Sequence, residues 1–357
     1  MEPVTDPSGP AIEALTSALR NAADRRETTD AWPAACLAHC AAAGVFRWFL
    51  PEVHGGLGWS SRQQCEGYLR LAEADLTTAF ILTQRMGACR RLAESDQPAA
   101  RAAWLARLLE GTAFATVAIS HLTTSRRHLQ QPVLQATPEA GGYRLTGEAP
   151  WVTGGCHADV IVTGATLPDG RQLLAAVETA QAGVEAGPGA DLVALSASCT
   201  DRLILQDRFV PAERILAGPQ EEVLRRGLGT GTGGLQTSAL AIGLSRAACR
   251  FLREEASRRE TLQTVAEQLT ATTAGIEDVL GAAADGETGC DTAVLRGEAN
   301  RLALKTTQAA LTAAKGSGFL ADHPAGRWCR EALFFLVWSC PAPIAQGHLC
   351  EWAGLDD

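Results

Sequence analysis

Residues 311–340 read LTAAKGSGFLADHPAGRWCREALFFLVWSC, and the chain is best read outward from them. An Ala-rich helical pattern ends in Gly316-Ser317-Gly318, a turn whose glycines tolerate positive φ and close backbone approach. A polar loop runs through Pro324, and a second helix opens around Arg327. It carries Arg330, Glu331 and a bulky apolar run to Trp338. Pro341 and Pro343 stop it, since proline lacks the backbone donor and clashes with the preceding turn. The stretch therefore reads as two buried helices joined by a glycine loop that can approach a ligand.

Upstream of this pair the chain is helical back to Gln220. Leu235–Arg259 and Glu260–Leu280 are long amphipathic stretches, and a polar break at Asp285–Asp291 separates them from Thr292–Ala314. That pattern predicts a C-terminal four-helix bundle over residues 219–357. Gly229–Gly234 (GTGTGG) lacks the Lys-Ser/Thr ending of a phosphate-binding P-loop and reads as a flexible cap before a helix. Residues 112–218 are different: short runs rich in Val, Thr and Ile lie between turn residues, with hairpin signals at Gly141-Gly142 and Asp169-Gly170. Six runs stand out, at Phe114–Ser120, Pro132–Ala136, Tyr143–Gly147, Val160–Gly164, Leu173–Val177 and Leu203–Phe209. They predict a separate β-barrel-like domain of roughly seven strands. Residues 11–111 return to helical spacing, broken by a glycine-rich loop at Gly55-Gly56-Leu57-Gly58, and residues 1–10 read as a disordered lead-in. The predicted fold class is thus α+β multidomain, in the order helices, β-domain, helices.

The chain has 357 residues, long enough for a large core, with 46% hydrophobic and 20% charged residues and a net charge of −9. That balance speaks against nucleic acid or an anionic membrane as partner, because both call for a basic surface. No apolar run approaches the roughly 20 residues of a membrane span. Eleven cysteines fall mostly in apolar helical stretches with no CxxC pair and no Cys/His group at zinc-ligand spacing, so no metal is expected. An odd count with no signal peptide points to a reducing cytoplasm.

Lys315-Gly316-Ser317-Gly318-Phe319 and Arg330-Glu331-Ala332 together resemble the C-terminal signature of the acyl-CoA dehydrogenase family, Gly-Gly-x-Gly-(Tyr/Phe) followed by Arg-Asp-Ala. Pro150-Trp151-Val152-Thr153-Gly154-Gly155 resembles the family's Lys-x-Trp-Ile-(Thr/Ser)-Asn-Gly strand, and Phe209-Val210-Pro211-Ala212-Glu213 its Val-Pro-Ala-Glu exit from the β-domain. The order of the three domains over almost the whole chain also agrees. The resemblance implies FAD, lying between the β-domain and the last bundle, with Trp151, Val152 and Thr153 against the flavin ring. An isoalloxazine wants a flat apolar wall and a few donors aimed at its polar edge.

Ile119–Ser125 occupies the place of the family's Thr-Glu-Pro-x-x-Gly-Ser-Asp loop. Only hydroxyls survive, at Ser120 and Ser125, and the basic Arg126-Arg127-His128 follows, either a solvated charge run or a phosphate contact. His121 reads as structural. The resemblance implies, by family counting, that Arg259, with Gln268 as a second contact, reaches the flavin pyrophosphate of a neighbouring subunit, and that Gly316 and Gly318 are further cofactor contacts; it also implies a homo- or hetero-oligomer, dimer or tetramer. The family's catalytic Glu falls on Ser339. The alternative position on the first long helix of the last domain falls in Gly233-Gly234-Leu235-Gln236, without Glu or Arg. A serine without a partner cannot take an α-proton at neutral pH, so no catalytic base is assigned. Three functions stay open: an FAD enzyme oxidising an acyl thioester (of coenzyme A or a carrier protein) and passing electrons to an unspecified acceptor; a flavin-dependent monooxygenase; or a catalytically degenerate subunit of a mixed oligomer.

Overall fold

The structure is a computed structural model and describes residues 1–25, 31–95, 97–123, 132–225 and 234–355. Among the described residues five helices come first: α1 (Pro10–Asp24), α2 (Ala34–Ala42), α3 (Ser61–Ala74), α4 (Leu76–Glu94) and α5 (Pro98–Glu110). Their ends follow local chemistry. Proline opens α1 and α5, where its missing donor costs nothing. Ser60 and Gln63 form a reciprocal capping box on α3. Asp75 caps α4 by accepting from the Thr78 amide at 3.2 Å. Gly111, at φ 77°, terminates α5 in the left-handed conformation.

The lead-in corrects an expectation: it is docked, not disordered. Val4 is buried and its amide donates to the Ala43 carbonyl. The indoles of Trp48 and Trp59, themselves stacked at 4.5 Å, donate to the carbonyls of Val4 and Thr5, each at 3.1 Å. Two buried indole N–H groups need acceptors, and the polar N-terminal segment supplies them.

The middle of the chain forms β1 (Ala115–Ala118), the short helix α6 (Ser120–Thr123), then β2 (Leu134–Glu139), β3 (Gly142–Val152), β4 (Val160–Thr166), β5 (Gln172–Glu178), β6 (Val184–Ala186), β7 (Asp201–Pro211) and β8 (Ile215–Gln220). All eight strands belong to one sheet, ordered β6-β7-β3-β2-β4-β5-β8, with β1 parallel to β4. It encloses an apolar cluster of its own, including Leu134, Leu145, Val152, Ile161, Leu173, Val177 and Leu203. Two strands exceed the sequence expectation. β6 has three residues and is held by β7, and β8 carries the domain on to Gln220 through pairing with β5. The β2–β3 and β4–β5 hairpins turn at Gly141 (φ 82°) and Gly170 (φ 87°), as their glycine signals predicted.

The last part contains α7 (Leu235–Ala256), α8 (Gln263–Ala284), α9 (Thr292–Ala314), α10 (Pro324–Leu333) and α11 (Ala342–Ala353). α7 is the central strut. Its Gly243 lies against α3 so closely that a Cβ would meet the Leu69 carbonyl at 2.5 Å and the Ala72 methyl at 2.8 Å. One continuous core therefore runs from α1 through α7 to α10, including Leu19, Trp48, Leu69, Leu240, Leu252, Ala303 and Phe335. The predicted glycine turn differs in detail: residues Lys315–Phe319 form a 3-10 turn, and Lys315, not a glycine, takes the positive φ (56°). The apolar run after α10 changes to 3-10 at Phe334–Leu336. No helix among the described residues is long and apolar enough to cross a membrane.

Candidate functional site

β3 carries the first group of candidate residues. Its pairing with β7 shifts register between Ala149 and Val152, and the extra residue, Trp151, sits at φ 59°. A left-handed bulky residue is strained. The bulge turns the indole out of the sheet core to 58% exposure while Val152 points inward at 1%. Among the described residues no aromatic ring stacks on Trp151. Thr153 is buried at 1%. Its hydroxyl joins that of Thr200 at 3.0 Å, which joins Ser198 at 2.8 Å. Spacing along the sequence does not link Ser198 and Thr200 to Thr153; the Gly154 amide, donating to the Ser198 and Cys199 carbonyls, does.

Ser120 reaches the same strand. Its hydroxyl donates to the Pro150 carbonyl at 2.7 Å, so α6 is tied to the residue just before the bulge. The segment expected as a loop is helical over these four residues. His121 is structural as expected, its Nε2 lying 3.0 Å from the Gly164 carbonyl. Ser125 and Arg126-Arg127-His128 lie outside the described residues, as do Gly229–Gly233.

The second group gathers where α7 meets the end of α9. The Arg259 guanidinium pairs with Glu255 and donates to the Ala313 carbonyl at 2.6 Å, three residues before Gly316. Arg259 and the Gly316–Gly318 turn are therefore brought together. A Cβ on Gly316 would meet nothing, whereas on Gly318 it would strike the Ala314 methyl at 2.7 Å. Gln268 is exposed on α8, and no side-chain contact among the described residues joins it to them.

Ser339, the third candidate, is half-buried with φ 44°. The preceding Trp338 stacks on Phe334 at 4.9 Å, and Phe80 of α4 meets both rings edge-on at 5.0 and 4.8 Å. Phe80 escaped sequence reading because it lies in another domain. Below the rings, Arg296 of α9 donates to the Trp338 carbonyl at 3.0 Å and Asn300 to the Phe335 carbonyl at 3.1 Å. Arg296 is 1% exposed, and its Nε and Nη1 have no hydrogen-bond partner among the described residues. Burial pushes its pKa down to about 10. Glu331, in the family's Asp position, is buried with its carboxylate 3.7 Å from Arg327. Arg327, Arg330 and Glu331 line a cleft of about 360 Å³ with Thr77 of α4 and Leu195-Ser196 from the segment before β7, so all three parts of the chain share it.

The fold and these sites define a three-part protein, helical, β and helical again, with an outward tryptophan on the β-sheet and an aromatic cluster at the end of the last bundle. The family model described as "Acyl-CoA dehydrogenase, N-terminal domain" matches residues 12–112. Isovaleryl-CoA dehydrogenase, mitochondrial, of Oryza sativa subsp. japonica is 24% identical over 307 residues, covering 80% of this chain and 75% of that protein. The structure of butyryl-CoA dehydrogenase from Megasphaera elsdenii superposes with a TM-score of 0.80 at 18% identity, covering 98% of this chain and 99% of the other. TdsC, a dibenzothiophene monooxygenase from Paenibacillus sp. A11-2, superposes in its FMN-bound form with a TM-score of 0.77 at 17% identity over 95% and 94% of the two chains. Residues 12–112 thus match the N-terminal domain of acyl-CoA dehydrogenases, and the chain as a whole shares the fold of these solved structures.

Proposed function

We propose that the protein is a flavin-dependent oxidoreductase that binds FAD between the β-sheet and the last helices and oxidises an acyl thioester at its α,β-carbons. The observation that carries the flavin is Trp151: a large aromatic ring held outward by a strained bulge, beside a buried hydroxyl chain, offers a flat apolar wall. When bound, a flavin supplies a two-electron acceptor. The protein's own part would be positional: Trp151 covers the ring, Val152 and Thr153 hold the strand in register, and Ser120 fixes Pro150. The juxtaposition of Arg259 with the open Gly316 supports FAD over FMN, because a pyrophosphate is the part FMN lacks. Arg259 would exchange its Glu255 contact for it. The thioester substrate, of coenzyme A or a carrier protein, is supported by the dehydrogenase relatives.

A second reading keeps the flavin and replaces thioester dehydrogenation with oxygen-dependent monooxygenation. Ser339 favours it, since no carboxylate occupies the family's base position and that chemistry needs no α-proton base. Anaerobic titration of the flavin-loaded protein with a panel of acyl-CoA thioesters separates the two. Bleaching supports dehydrogenation. No bleaching, with reduced flavin reacting rapidly with oxygen, supports the monooxygenase. A protein that takes up neither FAD nor FMN fits only a degenerate subunit.

A further inference from the structure

Cys156, His157 and Cys199 form no linear zinc-ligand motif, yet folding brings them together. Cys156 and His157 lie in the 3-10 turn after β3, and Cys199 follows the turn before β7. One ligand atom from each, the two Sγ and an imidazole nitrogen, lies within 4.8 Å of the others. We infer that Cys156, His157 and Cys199 form a binding site for one thiophilic divalent cation of the zinc class, with a water molecule as fourth ligand.

The match is chemical as well as geometric. Zinc takes thiolate sulfur at about 2.3 Å and imidazole nitrogen at about 2.0–2.1 Å in a tetrahedron, which sets ligand atoms roughly 3.5–3.8 Å apart. The observed grouping, within 4.8 Å, is at most about 1.3 Å wider than that spacing. Its two loops are already fastened: the Gly154 amide donates to both the Ser198 and Cys199 carbonyls, and the Ala190 amide to the Thr200 carbonyl. Gly154, at φ 62°, lies so near Trp32 that a Cβ would come within 2.7 Å of the indole. Cys199 is held at φ 47°, a conformation kept only when its surroundings fix it.

The histidine ring is held by stacking on Trp32, at 4.2 Å and 21°, leaving the ring edge free to bind. Cys156 and His157 are exposed, so a cation has a path in and the fourth position faces water. Cys156 Sγ also lies 3.6 Å from the Pro188 carbonyl. A disulfide between the two sulfurs would explain the cysteines but not the stacked histidine beside them. On binding, each thiol forms a metal–sulfur bond and gives up its proton, so two protons leave per cation and no electron moves.

The test uses the full-length protein, reduced and then freed of metal by chelator dialysis, titrated with cobalt(II) chloride. The expected result is one equivalent bound per chain, with thiolate-to-cobalt charge-transfer absorption and the intense visible bands of a tetrahedral site, displaced by zinc. C156S, C199S and H157A, each removing a direct ligand, should weaken cobalt binding by at least the roughly 10–100-fold that loss of an outer-shell partner costs. The C290S control, outside the cluster, should bind as the parent does. Absent tetrahedral bands, or equal binding by a C156S/C199S double variant, overturns the site. So does peptide mapping that finds Cys156 and Cys199 joined as a disulfide in freshly purified protein. Every readout is independent of flavin, so the outcome does not depend on the flavoprotein reading.

Discussion

Replacing Trp151 with alanine tests the flavin wall directly. A tryptophan presents up to about 250 Å², and at 58% exposure on the order of 140 Å² faces outward. A flavin ring lying on one face would cover about half of that, ~70 Å². At about 25 cal/mol per Å² this is worth ~1.8 kcal/mol, or roughly a 20-fold weaker flavin dissociation constant. The assay is titration of the flavin-free protein with FAD, followed by quenching of flavin fluorescence. Folding should suffer less than binding, because the indole is 58% exposed and alanine, which keeps its Cβ, leaves the backbone strain at φ 59° as it was. Trp151→Phe should fall between parent and alanine. An affinity within twofold of the parent, in a variant of unchanged thermal stability, would refute the placement of the ring.

Four further outcomes are expected. Deleting residues 1–9 removes the buried Val4, worth about 1.5–2 kcal/mol, and strands two indole donors at about 1 kcal/mol each; urea unfolding should show a loss of ~3–4 kcal/mol, and an unchanged midpoint would contradict the docked N-terminus. Gly243→Ala forces α7 off α3 and should cost about 1–3 kcal/mol by the same assay; a neutral result means the two helices are not in that contact. Burial pushes the Glu66 and Glu277 carboxyls up by more than their shared neighbour Arg246 pulls them down. Their contribution to stability is therefore fully present below the unfolded carboxylate pKa and is lost as pH rises through the raised folded values. E66Q/E277Q should flatten the thermal-stability slope between mildly acidic and neutral pH, and an unaltered slope refutes the burial argument. Ser339→Glu should speed acyl-CoA-dependent flavin reduction by about 100-fold if the position faces the substrate α-carbon; stopped-flow absorbance showing no gain would remove Ser339 from the site.

Much of this architecture is legible in the chain because its signals are local. The change from period 3.6 to Val- and Thr-rich runs near Gly111, and the Gly141 and Gly170 turns, depend on neighbouring residues alone. What escaped depends on contacts distant in sequence. Val4 looks like part of a polar tail until Trp48 and Trp59 need acceptors. The three residues of β6 form a strand only because β7 pairs with them. Phe80 gives no hint that it meets Phe334 and Trp338 across a domain boundary. The cluster of Cys156, His157 and Cys199 joins positions on two separate loops, so a rule written for linear spacing passes over it. At Lys315, the two glycines that follow suggested where positive φ would fall, but neither takes it and the lysine does.

The most direct measurement is the visible absorption spectrum of the protein purified without added cofactor, with the released chromophore identified by chromatography. The account predicts flavin bands at close to one equivalent per chain, released as FAD. A protein without flavin bands that also fails to take up FAD would contradict it.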